Sequence, residues 1–303
     1  MAKYLYVIGE GIGNMVQTLP TLKTLRKAHQ IDVVVAKTSF GFPRNFFQGN
    51  VRSLDDLTPE MMKGYDGKIV TIWGHIHGQQ CRPLSLLSTV NDVGRQQMRL
   101  DTSEVRTYLN AALDLGMTED DFELDVHDML LLKDVGRKYD VVLANGYNFV
   151  NTEDQWVAKS YPYYGSVSLA LQREGYSVCS IGAKNEAIPN TQDETGLDLM
   201  ESSGLIAKAK LVISNDSAAY HIASALQKFN FVLFTITSKV KNWDPDFHWK
   251  ALKVTKDLDC QSDCHQHQKW KSCPDRKCRE MRHGEIAEAA IGILKQIEEA
   301  KDG

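Results

Sequence analysis

Long apolar runs are missing from this 303-residue chain. No stretch approaches the roughly 20 consecutive apolar residues that cross a bilayer, so no transmembrane segment is expected. The start, MAKYLYVIGEGIGN, does not read as a secretory signal, because its apolar run is short and Glu10 interrupts it. A cytoplasmic protein is the expectation. An excess of one charge is missing too: 35 Lys and Arg stand against 39 Asp and Glu, a net −4. That balance recruits neither nucleic acid nor an anionic membrane through a global field. Cysteine is sparse, with six residues, and a cytoplasmic chain of this size does not use them as a disulfide framework. There is no Gly-x-Ser-x-Gly elbow, no Walker loop and no His-Glu-x-x-His helix. Internal repeats and low-complexity tracts are absent as well.

What is present is an alternation of short apolar strands and amphipathic helices, long enough for about two domains of about 150 residues each. Residues 4–8 read as a buried strand, followed by the Gly9–Gly13 turn, a helix over Met15–Ala28 and a second strand over Ile31–Ala36. Thr38–Asn50 reads as a loop, Lys68–Trp73 as a third strand and Thr102–Leu115 as a helix. The acidic stretch Gly116–Asp128 leads to a domain boundary. A second set starts near Asp140, with strands at Val141–Ala144, Tyr176–Ile181, Leu211–Ser214, Phe229–Ile236 and Ala251–Val254. Its helices are expected over Ser166–Glu174, Leu197–Ala209, Ala219–Leu226 and Glu285–Ala300. Two such sets suggest an α/β chain of two Rossmann-like domains, 1–138 and 139–303, facing a cleft.

The stretch LVISNDSAAYHIASAL, Leu211–Leu226, carries the strongest local signal. A strand ends at Asn215-Asp216-Ser217 and runs directly into a helix. Asp216 or Ser217 is placed to cap that helix, and its free N–H groups and dipole favour an anion. His221 follows Ser217 by about one turn and shares its face. An ordinary capped helix with a buried histidine is the plainer reading of the same residues. The Gly9-Glu10-Gly11-Ile12-Gly13-Asn14 loop is a weaker signal. Asn14 stands where a dinucleotide fingerprint needs glycine, and no acid ends the second strand, so NAD binding is not expected. Lys159, Lys184 and Glu186 lie in loops that follow strands of the second half, where the ligand crevice of such sheets lies. Solvated surface charges are the alternative. His75 and His77 follow the third strand on alternate positions and either line the cleft or are plain loop residues.

Four of the cysteines cluster as Cys260-x3-Cys264 and Cys273-x4-Cys278. Two short-spaced pairs suit one tetrahedral structural ion, with His265 and His267 as possible substitutes for a ligand. The surrounding segment lacks apolar periodicity, so a metal staple would explain how it holds shape. Reduced, unpaired thiols are the alternative. Four thiolates leave no open position for a catalytic metal. Cys81 and Cys179 have no partner pattern, and Cys179 reads as a core residue. The basic residues around the cluster (Lys269, Lys271, Arg276, Lys277, Arg279, Arg282) are diluted by Asp263, Asp275 and Glu280, and only Trp270 offers a stacking platform. No nucleic-acid partner is expected.

Taken in order, these pieces resemble glycosyltransferase family 9, the ADP-heptose:lipopolysaccharide heptosyltransferases of GT-B fold. Gly11-Ile12-Gly13-Asn14 through Pro20, with Leu22 and Leu25-Arg26-Lys27, looks like the family's opening G-x-G-D loop and helix. Trp156–Pro162 looks like its Lys-x-Trp-Pro segment, with Lys159 in the lysine place and Tyr161 in the tryptophan place. Gly182–Glu186 looks like its G-G-x-x-E turn, and Ser214–Ala223 like its s-N-D-[ST]-G-x-x-H-x-A motif. Some members also carry terminal cysteine pairs, including protein heptosyltransferases that hold iron there.

The resemblance implies an inverting transfer of a sugar, with ADP-linked heptose as the expected donor, without a catalytic metal, onto a glycan, lipopolysaccharide-type or protein acceptor. Lys159 would contact the diphosphate and Glu186 the ribose. Asn215, Asp216, Ser217 and Ala218 would face the phosphates, with His221 nearby and Gly11 and Gly13 shaping the opposite loop. One structural zinc or iron would sit on Cys260, Cys264, Cys273 and Cys278. Two departures stand out. Asn14 occupies the place of the family's catalytic Asp, and an amide cannot take the acceptor's proton. Glu10, His75 or His77 are the substitutes, Glu10 first because it shares the loop. The other consequence of Asn14 is a weak or inactive nucleotide-sugar-binding subunit or scaffold. Ala218 also replaces a family Gly.

Overall fold

The computed structural model describes residues 1–9, 11–35, 48–49, 51–71, 84–96, 99, 101–146, 159–262, 264, 267 and 269–302. The candidates Glu10, His75 and His77, together with Cys81, His265 and the segment around Trp156, lie outside them.

The chain divides into two compact units, Met1–Leu131 with Trp243–Phe247, and Leu132–Asn242 with His248–Gly303. The first unit is built on a five-stranded parallel sheet of order β3-β2-β1-β4-β5. Its strands are β1 (Lys3–Ile8), β2 (Gln30–Val35), β3 (Val51–Ser53), β4 (Gly67–Val70) and β5 (Asp92–Arg95). The second unit has a six-stranded parallel sheet of order β11-β10-β9-β6-β7-β8. It comprises β6 (Val141–Ala144), β7 (Val178–Ser180), β8 (Gln192–Asp193), β9 (Leu211–Asn215), β10 (Phe229–Phe234) and β11 (Ala251–Thr255). The central strands are continuous Val/Ile/Leu runs buried on both faces, as a parallel sheet covered by helices requires. Burial of Leu5, Val7, Val34, Leu54 and Val70 forms one core. Val141, Leu143, Ile213, Phe231 and Leu233, packed on Leu171 and Leu294, form the other.

The long strands follow the sequence reading closely, while β3, β5 and β8 were not expected. Each is a sheet-edge strand of two to four residues, too short to carry a pattern of its own. The opening helix is split into α1 (Ile12–Gln17) and α2 (Leu19–Leu25). Pro20, inside the second piece, has no N–H to donate backwards, and its ring crowds the preceding turn. The helix at Glu104–Asp114 is capped by Ser103, whose Oγ accepts from the Arg106 N–H at 3.1 Å. No helix among the described residues is long and apolar enough to cross a membrane.

Candidate functional site

In the second unit β6, β7, β9 and β10 are parallel, with Ala144 beside Ser214, Leu143 beside Ser180 and Leu233 beside Asn215. Their C-terminal ends therefore finish level. The loops that leave them, at Asn145, Gly182, Asp216 and Thr235, start from one edge of the sheet. This is the edge at which open parallel sheets bind ligands.

Asn215 fastens that edge. It is fully buried, and its Nδ2 donates to the Asn145 carbonyl and, at 3.1 Å, to Asn145 Oδ1. Its own Oδ1 accepts from the Tyr164 hydroxyl at 2.9 Å. The amide is thus spent on holding β9, β6 and the Tyr164–Arg173 helix together. Ser217 is the residue before the helix Ala218–Ala225, but it makes no capping bond, contrary to the sequence expectation. Its hydroxyl packs where a Cβ on Gly146 would lie, at 2.5 Å, so that position excludes a side chain. Gly146 also has a positive φ of 43°. Among the described residues Ser217 Oγ has no hydrogen-bond partner although it is buried. Asp216 does not cap the helix with either oxygen. One faces His221 Nε2 at 3.4 Å and the other accepts from Asn242 Nδ2 at 2.7 Å.

The electrostatics of Asp216 define the site. Burial pushes its pKa up, but the positive charge of Lys159 and the contact with His221 outweigh burial and hold it well below the ordinary carboxylate value. Asp216, Lys159 and His221 are therefore one cluster, drawn from the loop before Tyr161 and from both sides of the β9–helix junction. Thr235 Oγ1 donates to the Lys159 carbonyl at 2.8 Å and fixes the backbone that carries the lysine. Glu186 closes its own turn: its Oε2 accepts from the Ala183 N–H at 2.8 Å, and its N–H donates to the Ala183 carbonyl at 2.8 Å. The carboxylate fills the space where a side chain on Gly182, at φ 141°, would sit.

The cysteine segment is docked on this same edge. Gln261 Nε2 donates to the carbonyls of Phe234 and Thr235, at 3.0 and 2.6 Å. Arg279 donates to the Ser160 carbonyl at 2.8 Å and to Ser160 Oγ at 3.0 Å. Cys264 and Cys278 are buried with Ile236 and Trp270, so Trp270 offers no stacking platform for a base. None of the four is in a disulfide. Burial, with Cys264, Cys273 and Cys260 near it, pushes the Cys278 thiol up to about 11. The four sulfurs share one neighbourhood, and such thiols suit a metal that draws off their protons. Among the described residues no three His, Cys, Asp or Glu side chains are arranged to hold an ion.

In the first unit, Gly11 precedes α1, a helix of six residues, and Asn14 lies within it. Asn14 Nδ2 donates to Glu104 Oε2 at 2.7 Å. Gln17 Nε2 donates to the same oxygen at 3.1 Å, and the Tyr108 hydroxyl lies 3.4 Å from it. Glu104 is buried, and it sits ninety residues beyond Asn14 in the chain. The carboxylate fixes the amide's orientation: nitrogen toward Glu104, oxygen toward Gly11, where a Cβ would lie 2.5 Å from Asn14 Oδ1. Sequence reasoning missed Glu104, Asn145, Gly146, Asn242 and His248. Only Asn145-Gly146, a turn dipeptide at a strand end, carried a local signal.

The profile of "Glycosyltransferase family 9 (heptosyltransferase)" matches residues 75–272, more than half of the chain. Lipooligosaccharide heptosyltransferase 2 of Haemophilus ducreyi is 34% identical over 88 aligned residues, covering 23% of this chain and 25% of that protein. The chain is thus matched to only a quarter of the length of this curated relative. Among solved structures, ADP-heptose lps heptosyltransferase II of E. coli superposes with a TM-score of 0.63 at 17% identity, covering 98% of this chain and 100% of that one. The iron-containing dodecameric glycosyltransferase TibC of enterotoxigenic E. coli H10407 gives 0.60 at 13% identity, covering 99% of this chain and 76% of that one.

Proposed function

The chain belongs to glycosyltransferase family 9, and we propose that it transfers a sugar from a nucleoside-diphosphate donor held at the C-terminal edge of the second sheet. The observation that carries this is the Lys159–Asp216–His221 cluster at the start of the Ala218–Ala225 helix. As the sugar leaves, the diphosphate gains negative charge. A lysine whose charge acts on a buried carboxylate, with the N–H groups of a helix start, stabilises that charge in place. Ser217 Oγ, buried and unpartnered among the described residues, supplies a further donor. Glu186, fixed on its turn, presents a carboxylate to the ribose hydroxyls. ADP-heptose is the donor that best fits the relatives' names, and inversion with a glycan, lipopolysaccharide-type or protein acceptor completes the reading. Asn242 and Asn215 shape the site from behind.

On the first unit the acceptor side has an amide where the transfer needs a base. Asn14 accepts the acceptor hydroxyl's hydrogen bond through Oδ1 but takes no proton. This favours a second reading, a nucleotide-sugar-binding subunit with slow turnover. Cys260, Cys264, Cys273 and Cys278 would hold one structural zinc or iron, whose contribution is to fix the segment that Gln261 and Arg279 tie to the donor loops.

The test is calorimetry with ADP, ADP-heptose, UDP and GDP, followed by transfer and hydrolysis assays. Selective binding of ADP species that Lys159→Ala weakens by about tenfold or more supports the donor site. Equal or absent binding of all nucleotides overturns it. Binding without turnover selects the subunit reading. Metal content measured by elemental analysis, and its loss in Cys264→Ser, tests the structural ion.

A further inference from the structure

Two side chains outside the family motifs, buried His248 and half-buried Asn242, close a ring around Asp216. His221 Nε2 lies 3.4 Å from Asp216 Oδ1, and its Nδ1 lies 3.2 Å from His248 Nε2. Asn242 Nδ2 donates to Asp216 Oδ2 at 2.7 Å. The Tyr220 hydroxyl donates to the Asn242 carbonyl at 3.1 Å. The Tyr220 ring stacks on His248, with centroids 4.6 Å apart and 19° between planes. Asp216, Tyr220, His221 and His248 are all at most 4% exposed, so water does not arbitrate between proton positions here.

The proton positions follow from the partners. An ionised carboxylate only accepts, so the nitrogen facing it, His221 Nε2, carries a proton. In a neutral ring Nδ1 is then bare. It faces His248 Nε2, which must therefore be N–H and donate. The tautomer of one histidine is set by the hydrogen bond at its other nitrogen, and here that bond comes from His248. Tyr220 holds the His248 ring plane, and Asn242 holds the rotation of the Asp216 carboxylate.

We propose that His248 and Asn242 are positioning residues of the donor-phosphate site. His248 locks His221 as the Nε2–H tautomer, and Asn242 aims Asp216 so that it can hold Lys159 rather than repel a diphosphate. The functional half of this rests on the donor-site reading above; the proton arrangement does not.

Two readouts separate the halves. The first is long-range nitrogen–proton correlation NMR of ring-labelled histidine in the ligand-free protein. Wild type and His248→Gln, whose amide N–H replaces the lost donor, are expected to show His221 protonated at Nε2 alone. His248→Leu, with no donor, is expected to show a mixture of tautomers. A wild-type His221 carrying a proton at Nδ1, alone or at both nitrogens, overturns the proposal even if His248→Leu does not fold. So does a His221 signal unmoved in folded His248→Leu. The second readout is ADP affinity by calorimetry. His248→Leu and Asn242→Ala are expected to bind about tenfold more weakly, and His248→Gln within about threefold of wild type. Wild-type affinity in both His248→Leu and Asn242→Ala overturns the positioning role. Failure of the wild-type protein to bind ADP overturns the donor-site reading instead, and the spectra still decide the ring.

Discussion

The two strand–helix junctions that define this chain treat a carboxylate in opposite ways. After β9 the carboxylate is in the junction itself, at Asp216, and the fold surrounds it with Lys159, His221 and Asn242. After β1 the junction carries an amide, Asn14, and the carboxylate stands behind it on a helix of distant sequence, Glu104. The first arrangement sets a positive charge beside a buried carboxylate at the start of a helix. The second fixes an amide's orientation and leaves no base in the loop among the described residues. A strand–turn–helix motif thus sets backbone geometry, while the charge it presents depends on partners that the motif does not contain.

The largest effect is expected from breaking the first arrangement. Asp216→Ala removes the buried carboxylate that faces half-buried Lys159 and buried His221, and a loss of about 1–3 kcal/mol is expected in urea unfolding. The pH dependence follows from the depressed Asp216 pKa. Its contribution is fully present above the unfolded carboxyl value of about 3.9 and is lost as pH falls through the lower folded value. Wild type is therefore expected to lose stability on its acid limb, with a slope that Asp216→Asn flattens. An unchanged limb in that variant would place the acid sensitivity elsewhere.

The second arrangement is probed by restoring the acid. Asn14→Asp sets a carboxyl against Glu104, where the amide nitrogen now sits at 2.7 Å. Two carboxyls that close share a proton, and one pKa rises. A group whose folded pKa is raised binds its proton more tightly when folded, so the penalty in Asn14→Asp grows as pH rises through the unfolded value. Transfer is expected to increase by about tenfold to a hundredfold, but only toward alkaline pH. Adding Glu104→Gln moves that gain to neutral pH, because the second carboxylate is gone. Transfer rates of the double variant equal to wild type across pH would show that the unit-1 junction does not face the acceptor.

Smaller effects sharpen the backbone side of the contrast. Gly146→Ala meets both a positive φ and the Ser217 side chain, and is expected to cost about 1–3 kcal/mol in denaturant unfolding. A matching drop in ADP affinity would tie Ser217 to the ligand. Ser103→Ala removes the cap of the helix that carries Glu104 and is expected to cost about 1 kcal/mol. The Asn14–Glu104 contact should survive it, because α2 also packs on that helix.

How far the sequence reaches is clear at particular residues. The apolar run Leu211–Ser214 and the helical spacing of Ala219, Ile222 and Ala223 specify a buried strand feeding a helix, and both form where the pattern places them. The capping role expected of Asp216 or Ser217 does not form: Lys159, His221 and Asn242 compete for the carboxylate, and the Ser217 hydroxyl packs against Gly146 without a hydrogen-bond partner among the described residues. The long opening helix breaks near Pro20 for a local reason that the chain itself displays.

Periodicity, turn residues and spacing act over a few residues, so the chain alone determined its alternating strands and helices, its two-part α/β organisation and the place of its Asn-Asp-Ser junction. Packing decided which side chains meet. Glu104 reaches Asn14 from ninety residues away, and His248 reaches His221 across a five-residue segment that belongs to the other unit. Proton positions and charge at a site are set by contacts of that range, and only the tertiary structure brings them together.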